Sequence, residues 1–261
     1  MATDVQIASL ALSRIGHEPI ASFSASGNKA QRWFQANYEF IRQSLLREHQ
    51  WRCAIKRAVL VRDPIFLIDT VTAANPIHIK MVGDHTLTNG ESVYIDGVSG
   101  MTEINTLFFT VANATAEEFD LSGEDGTSYS AGSGGAVSYY ITKEYAYRFA
   151  LPDDCLRLIR INGGEWEEYR VEQGYIYTDE GSVHIEYIFD QTDESAFDAQ
   201  FTDVLAARLS AEISFYLTAN ATLTEQAWKI ANDKLAMART MDSRQGTPRG
   251  LDADQWLAVR I

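Results

Sequence analysis

Cysteine is scarce in this sequence, which argues against two classes of cross-linked protein. Its only two cysteines, Cys53 and Cys155, lie far apart and form no CxxC pair. A disulfide framework needs more cysteines, and a zinc site needs closely spaced ligands. Both residues are flanked by apolar neighbours, which favours small buried side chains.

Long apolar runs are also missing, and so is a secretory leader. No run approaches the roughly 18 apolar residues that cross a bilayer. Residues 1–16 lack the basic start and the small-residue cleavage site of a signal peptide. We therefore expect a chain that is made and kept in a cytoplasm-like compartment and has no membrane partner.

Positive charge is in short supply, with 22 basic residues against 36 acidic residues and a net charge of −14. Residues 68–141 hold one lysine, Lys80, against ten acids. Proteins that bind the phosphate backbone need clustered lysine and arginine, so this chain is a poor candidate for gripping nucleic acid. An acidic surface near DNA would repel it; ordinary solubility is the other explanation.

Recognisable catalytic and metal-binding patterns are absent. In the acidic stretch that starts at Asp120, no glycine falls at the sixth position of a calcium loop and no acid at the twelfth, and no Gly-x-Ser-x-Gly elbow occurs. The histidines have no HExxH or comparable spacing; they are His17, His49, His78, His85 and His184. The sequence thus predicts no enzyme, no cofactor and no bound metal.

Helical periodicity is present at both ends of the chain. Thr3 and Gln6 form a capping-box pattern before an apolar stripe, and a second start at Ser24 or Ser26 opens a long helix to about Glu48. Two further helices are predicted across 197–216 and 222–238, the last from a capping box at Thr222 and Glu225. The short link at 220–221 predicts that these two helices pair antiparallel.

The middle of the chain follows a different pattern. Short Val/Ile/Thr/Phe/Tyr runs alternate with Asn-Pro, Asn-Gly and Gly-Gly from about residue 66 to 141, which predicts an inserted all-β module. Four strand-like runs between 155 and 189 predict a small antiparallel sheet. The predicted fold is α+β: a four-helix bundle with a small antiparallel sheet, interrupted by a barrel-like β insertion. The predicted divisions are 1–65 and 142–241 (core halves), 66–141 (insert) and 242–261 (docking tail).

Two segments are candidates for protein contacts. After Asp242 the helical periodicity ends, yet an apolar patch follows near the end of the sequence. This tail therefore either packs on its own core or docks on a partner. Its candidate docking residues are Trp256, Leu257, Val259 and Arg260. A basic stretch around the end of the second helix either complements the helix dipole as solvated surface or contacts an acidic neighbour such as another copy of this chain. Its candidate contact residues are Arg42, Arg47, Arg52, Lys56 and Arg57.

Three features mark the outer segments: an opening stripe with Gly16 and a Pro19-Ile20 turn, the Leu45-Leu46…His49-Gln50-Trp51 helix end, and the block 147–159, YRFALPDDCLRLI. In these features the chain resembles the tail tubular protein A family of T7-like podoviruses. The insert resembles the small β-barrel beside the first catalytic-cysteine half-domain (FCCH) of ubiquitin-activating enzymes. The insert contains no cysteine, so only its shape is carried over.

The family resemblance implies a structural virion protein synthesised in the host cytoplasm, a head-to-tail adaptor. Such an adaptor forms a homo-oligomeric ring, usually a dodecamer, between the portal protein and the tail nozzle (tail tubular protein B-like). Genomic DNA passes through its lumen without sequence-specific binding during ejection. Two alternatives stay open: a tail-associated cell-wall hydrolase, and a glycan- or receptor-binding accessory that uses the β insert.

Overall fold

The computed structural model describes residues 3–141, 143–164 and 168–244, which form four α-helices and 13 β-strands. The helices are α1 (Asp4–Arg14), α2 (Lys29–Glu48), α3 (Ala199–Thr218) and α4 (Ala221–Ser243). The strands of the first half are β1 (Ile55–Leu60), β2 (Ile65–Thr72), β3 (His78–Met81), β4 (Ser92–Asp96), β5 (Leu107–Ala112) and β6 (Glu118–Leu121). The remaining strands are β7 (Gly132–Ser133), β8 (Ala136–Ser138), β9 (Tyr147–Ala150), β10 (Cys155–Ile161), β11 (Tyr169–Glu172), β12 (Tyr175–Thr178) and β13 (Val183–Phe189).

The helix starts follow local capping chemistry. Thr3 and Gln6 form the capping box that the sequence predicts for α1. Helix α2 starts later than predicted, because Asn28 Oδ1 accepts a hydrogen bond from the Gln31 backbone amide (2.9 Å) and the Asn28 backbone amide donates to Gln31 Oε1 (2.9 Å). This reciprocal pair satisfies two amides that would otherwise lack partners at the helix start. Helix α4, by contrast, is capped two residues earlier than predicted, by Asn220 rather than Thr222.

The chain divides into two compact units. The helical unit comprises Met1–Arg57, Asp154–Ile159 and Glu186–Ile261, and the strand unit comprises Ala58–Asp153 and Arg160–Ile185. The strand unit is therefore more extensive than the predicted insert 66–141, since strands β9, β11 and β12 cluster with it.

The prediction of a four-helix bundle is wrong. Helices α1, α2 and α4 each pack extensively on α3, which is the common neighbour. Helix α3 is buried along most of its circumference, whereas its three neighbours are amphipathic and bury one face each. A bundle requires every helix to share two seams around one core. The apolar periodicity marks which faces are buried but not which helix lies opposite them.

The α3–α4 seam is built from small side chains, and the four alanines at its centre allow the two helices to approach closely. These are Ala207, Ala211, Ala227 and Ala231. The larger core of this unit joins α1, α2 and α3 through Leu12, Phe34, Leu46 and Phe201, all of them fully buried. The helices thus converge on α3 from different sides.

The inserted module is a closed six-stranded antiparallel barrel, as its barrel-like pattern predicts. Its strand order is β2-β3-β6-β5-β4-β8, and β8 pairs back with β2 to close the ring. The short strand β7 adds to β2. Inward side chains such as Ile79, Val93, Ile95, Phe119 and Val137 fill the interior completely. Closure removes the open strand edges that would otherwise template aggregation.

The predicted small sheet is in fact two sheets. Strands β11, β12 and β9 pair antiparallel in that order within the strand unit. Strands β1, β13 and β10 form a separate three-stranded sheet. The strand-like runs are therefore divided between two sheets, with β9, β11 and β12 in one and β10 and β13 in the other, and a hairpin pattern does not reveal this division.

Candidate functional site

The signature at the end of α2 forms part of the core rather than a reactive centre. Trp51 is fully buried, and its indole nitrogen donates to the Leu45 carbonyl at 2.9 Å. Its ring contacts the rings of His49 and Phe201 edge-on, with centroids 4.8 and 5.1 Å apart. This segment therefore fixes the end of α2 against α3.

His49 and the carboxylate of Asp242 join the end of α2 to the end of α4. His49 Nε2 lies 3.3 Å from Asp242 Oδ2, and the Arg52 amide donates to Asp242 Oδ1 at 3.1 Å. Burial lowers the pKa of His49 and outweighs the opposing pull of Asp242. The contact is therefore a hydrogen bond of a neutral imidazole near pH 7 rather than a full ion pair.

The predicted basic contact residues do not share one environment. Arg42 is buried and its Nη2 donates to Asp190 Oδ1 at 2.8 Å, so its charge is paired inside the helical unit, although its Nε has no hydrogen-bond partner among the described residues. Lys56 and Arg57 lie at the surface and pair with Asp154 (2.7 Å) and Glu186 (3.6 Å). The side chains of Arg47 and Arg52 are also exposed. Only the exposed members are available to a partner.

The α4 groove is the first candidate site, an open cavity of about 330 Å³ in the helical unit. Its floor is the small side chains of Ala207 and Ser210 on α3 and Ala227 on α4, all three buried. Its remaining lining residues are Arg14, Leu223, Gln226, Ile230 and Lys234. Small residues below and longer side chains at the rim produce a concave, largely apolar surface.

One end of the α4 groove is closed by three charges. The carboxylate of Asp203 on α3 bonds both the guanidinium of Arg14 on α1 and the ammonium of Lys234 on α4. Partial burial opposes ionisation of Asp203, but the bond from Lys234 and the charge of Arg14 outweigh it and hold its pKa below the usual range. Two cations against one carboxylate leave this end of the groove net positive.

An exposed apolar stripe on α4 continues from the groove. Ile230, Met237 and Met241 are 50%, 64% and 47% exposed. Their spacing of seven and four residues places them on one face of the helix. The opposite face of the helix is buried at Ala231 and Ala238. The exposed stripe was the signal in the sequence for the groove.

The aromatic pocket is the second candidate site, a cavity of about 470 Å³ in the strand unit. Its aromatic lining comes from Phe108, Tyr139, Tyr140, Tyr145 and Tyr177. Its polar lining includes Lys143, Glu144, Arg148, Arg170 and Glu172. This pocket was not predicted from the sequence, although the density of tyrosine between residues 139 and 147 was a signal for an aromatic surface.

Two arginines of the aromatic pocket already have carboxylate partners. Arg148 bonds Asp63 (2.6 Å) and lies over the rings of Tyr140 and Tyr175, with centroid distances of 4.9 and 4.1 Å. Arg170 pairs with Glu144 at 2.9 Å and Glu172 at 3.6 Å. The pocket is therefore close to electroneutral, which suits a neutral polar ligand better than a phosphate.

The remaining candidates contribute no further site. Residues Trp256, Leu257, Val259 and Arg260 lie outside the described residues. Within the described part of the chain, no group of three or more His, Cys, Asp or Glu side chains is placed to hold a metal ion. None of its helices is both long and apolar enough to span a membrane.

Comparison with known proteins does not assign the chain to a family. No protein-family model matches the sequence, and no curated protein matches it either.

Proposed function

We propose that this chain is a structural virion protein, a head-to-tail adaptor whose copies form a ring between a portal and a tail nozzle. The proposal starts from the sequence resemblance to the tail tubular protein A family. It treats the portal protein, the nozzle and further copies of the same chain as the partners. DNA passes through the ring without specific contacts.

The observation that carries the proposal is where the resembling segments lie. The opening stripe (Ala8, Leu12), the end of α2 (Leu46, Trp51) and Leu156 of the 147–159 block all contribute to one hydrophobic cluster in the helical unit. Segments separated by about a hundred residues thus specify a single core. Resemblance in all of them together supports a shared helical framework.

The 147–159 block also provides a polar connection inside the helical unit. Asp154 accepts from Lys56 at 2.7 Å and from the Tyr187 hydroxyl at 3.0 Å. Lys56 lies five residues after Trp51, so the block bonds to the strand that follows that signature. These contacts account for the motif as a structural requirement of the fold.

The test is the composition of phage particles. Mass spectrometry of purified virions of the phage that encodes this chain should detect it in a fixed ratio to the portal, and electron microscopy should place it in a ring below the portal. Its absence from purified virions would end the proposal.

The aromatic pocket favours a second candidate, glycan binding by the strand unit. A saccharide presents an apolar C–H face that packs on aromatic rings and hydroxyl edges that bond to carboxylates and guanidinium groups. The near-neutral charge of the pocket and its volume fit one or two sugar units. Isothermal titration with host cell-surface glycans tests this second candidate. Tyr145→Ala should weaken binding about tenfold, whereas Tyr129→Ala, at an exposed tyrosine outside the pocket lining, should not.

A further inference from the structure

The exposed stripe of α4 is within reach of the residues that follow this helix in the chain. The described structure ends at Arg244, directly after α4, and the sequence continues for 17 residues. Gly246, Pro248 and Gly250 follow at once, and these residue types favour turns. The sequence therefore permits the chain to turn back along the helix.

The distances along the chain permit this return. Lys234 is ten residues before Arg244, about 15 Å along a helix, and Ile230 is about 21 Å away. Asp254 and Trp256 follow Arg244 by ten and twelve residues, which reach about 33 and 40 Å when extended. The chain therefore reaches the groove with length left for the turn.

The order of residues in the segment matches the order of the groove. From the end nearest Arg244, α4 presents exposed Met241 and Met237, then the two cations around Asp203, then the apolar cavity beside Ile230. The segment reads Leu251, then Asp252 and Asp254, then Trp256 and Leu257. Apolar residues thus meet apolar surface, and carboxylates meet the net positive end.

We infer that residues 251–257 bind in the α4 groove of the same chain, with Asp252 and Asp254 at Arg14 and Lys234 and with Trp256 in the apolar cavity. The short connection makes the local concentration of the segment about millimolar, which favours its own groove over that of a second copy. The inference does not depend on the proposed adaptor function and survives if the chain is absent from virions.

Cross-linking within the full-length protein tests the inference. Ile230→Cys combined with Ala258→Cys should react with a short bismaleimide to give a cross-link inside one chain, with a yield independent of protein concentration. Ala258 follows the docking segment directly, so the double variant keeps Trp256. Burial raises the pKa of Cys53 to about 11 and also raises that of Cys155, so both native thiols react slowly at neutral pH. Each single cysteine variant measures the remaining background.

A matched control uses Phe40→Cys with Ala258→Cys. Phe40 is exposed on α2, nine residues or about 13 Å from His49, which contacts Asp242 near the end of α4. It is within the extended reach of the residues after Arg244, but it does not line the groove. A yield at Ile230 no higher than at Phe40 would overturn the inference, and cross-links between chains would show instead that the segment binds a second copy.

Methionine oxidation gives an independent measurement in the absence of new cysteines. A segment lying over Met237 protects it, so Trp256→Ala in the full chain should speed peroxide oxidation of Met237 several-fold. The fully buried Met101 serves as the internal reference. Equal Met237 rates in the two proteins would contradict docking, and circular dichroism of each variant checks that it is folded.

Discussion

At the scale of single residues, Gly135 lies where two segments of the barrel approach closely. Its φ is +88°, and an added Cβ would lie 2.7 Å from both the Asp96 carbonyl oxygen and the Val98 amide nitrogen. The adjacent Gly134 also has a positive φ, +69°, but nothing lies within 4 Å of its Cβ position. Comparing these two neighbours therefore separates the cost of a left-handed backbone conformation, which both share, from the cost of close packing, which only Gly135 has.

Replacing Gly135 by alanine should destabilise the barrel more than replacing Gly134. Gly134→Ala should lower the free energy of unfolding by about 1 kcal/mol, the cost of a left-handed backbone conformation at alanine. Gly135→Ala adds a clash with backbone atoms and should lower it by about 2 to 4 kcal/mol. Equilibrium urea unfolding of both variants measures this difference. Equal losses would show that close packing at Gly135 is unimportant.

His49 makes the helical unit sensitive to mild acid. Because burial lowers its pKa, the folded state binds a proton less readily than the unfolded chain, whose imidazole titrates near 6.5. The stability linked to neutral His49 is therefore complete above about pH 6.5 and is lost as the pH falls below it.

His49→Gln should remove that part of the pH dependence. Between pH 7 and pH 5.5 the wild type should lose up to about 1.4 kcal/mol per pH unit more than the variant, the slope of one linked proton. Thermal unfolding across this range provides the measurement. His184→Gln, at an exposed histidine, is the control, and a change of slope there as large as in His49→Gln would contradict the assignment to His49.

At the scale of elements, one carboxylate connects three strands of the β1-β13-β10 sheet. Asp154, just before β10, accepts hydrogen bonds from Lys56 on β1 and from Tyr187 on β13. Burial by itself raises the pKa of Asp154, but these two donors outweigh it, and the net pKa is lowered. Tyr187 is almost completely buried, so its hydroxyl depends on this partner.

Asp154→Ala should cost about 2 to 3 kcal/mol because it leaves a buried hydroxyl without an acceptor and removes the Lys56 pair. Asp154→Asn should lose less, about 1 kcal/mol, since the amide oxygen still accepts from Tyr187. Chemical denaturation of both variants, beside Asp153→Asn at the exposed neighbouring carboxylate, tests this ranking. A loss in Asp153→Asn as large as in Asp154→Ala would refute it.

Acid unfolding measures how ionised Asp154 contributes to the free energy of unfolding. Since its folded pKa is lowered, the contribution is present above about pH 3.9, the unfolded value, and is lost as the pH falls further. Asp154→Ala should therefore show a shallower loss of stability below pH 4 than the wild type.

At the scale of the whole molecule, charge is the property most relevant to assembly. The net charge of −14 makes copies of the chain repel one another, so a ring needs local positive surface to offset this. Arg47 and Arg52 lie near the end of α2 with exposed side chains. Arg42, by contrast, is buried against Asp190 and contributes to folding.

Reversing both exposed charges should weaken the proposed ring. Arg47→Glu with Arg52→Glu should reduce assembly on a purified portal at least tenfold, with the wild-type complex weakening as salt rises. Native mass spectrometry of the portal complex counts the bound copies. Lys29→Glu with Arg32→Glu, two exposed residues at the start of α2, is the charge-matched control; Arg32 lies about 22 Å from Arg47 along the helix. An equal effect there would indicate general repulsion instead.

Several elements could be predicted from the sequence because their signals are local. The capping box at Thr3, the apolar stripe of α2 and the turn chemistry of the barrel each depend on residues a few positions apart. The candidate sites could not be predicted in the same way. The α4 groove requires Arg14, Asp203 and Lys234 to meet, and no local pattern relates residues so far apart.

By itself, the sequence determined the α+β class, the four helices and the β insertion, since the period of apolar residues and the turn residues specify them. Only the tertiary structure decided that α3 is the common neighbour of the other helices, that the strand-like runs after residue 147 separate into two sheets, and that Arg42 is internal. These outcomes depend on which buried faces complement one another in shape and charge. That complementarity is a property of pairs of distant residues, so it exists only once the chain has folded.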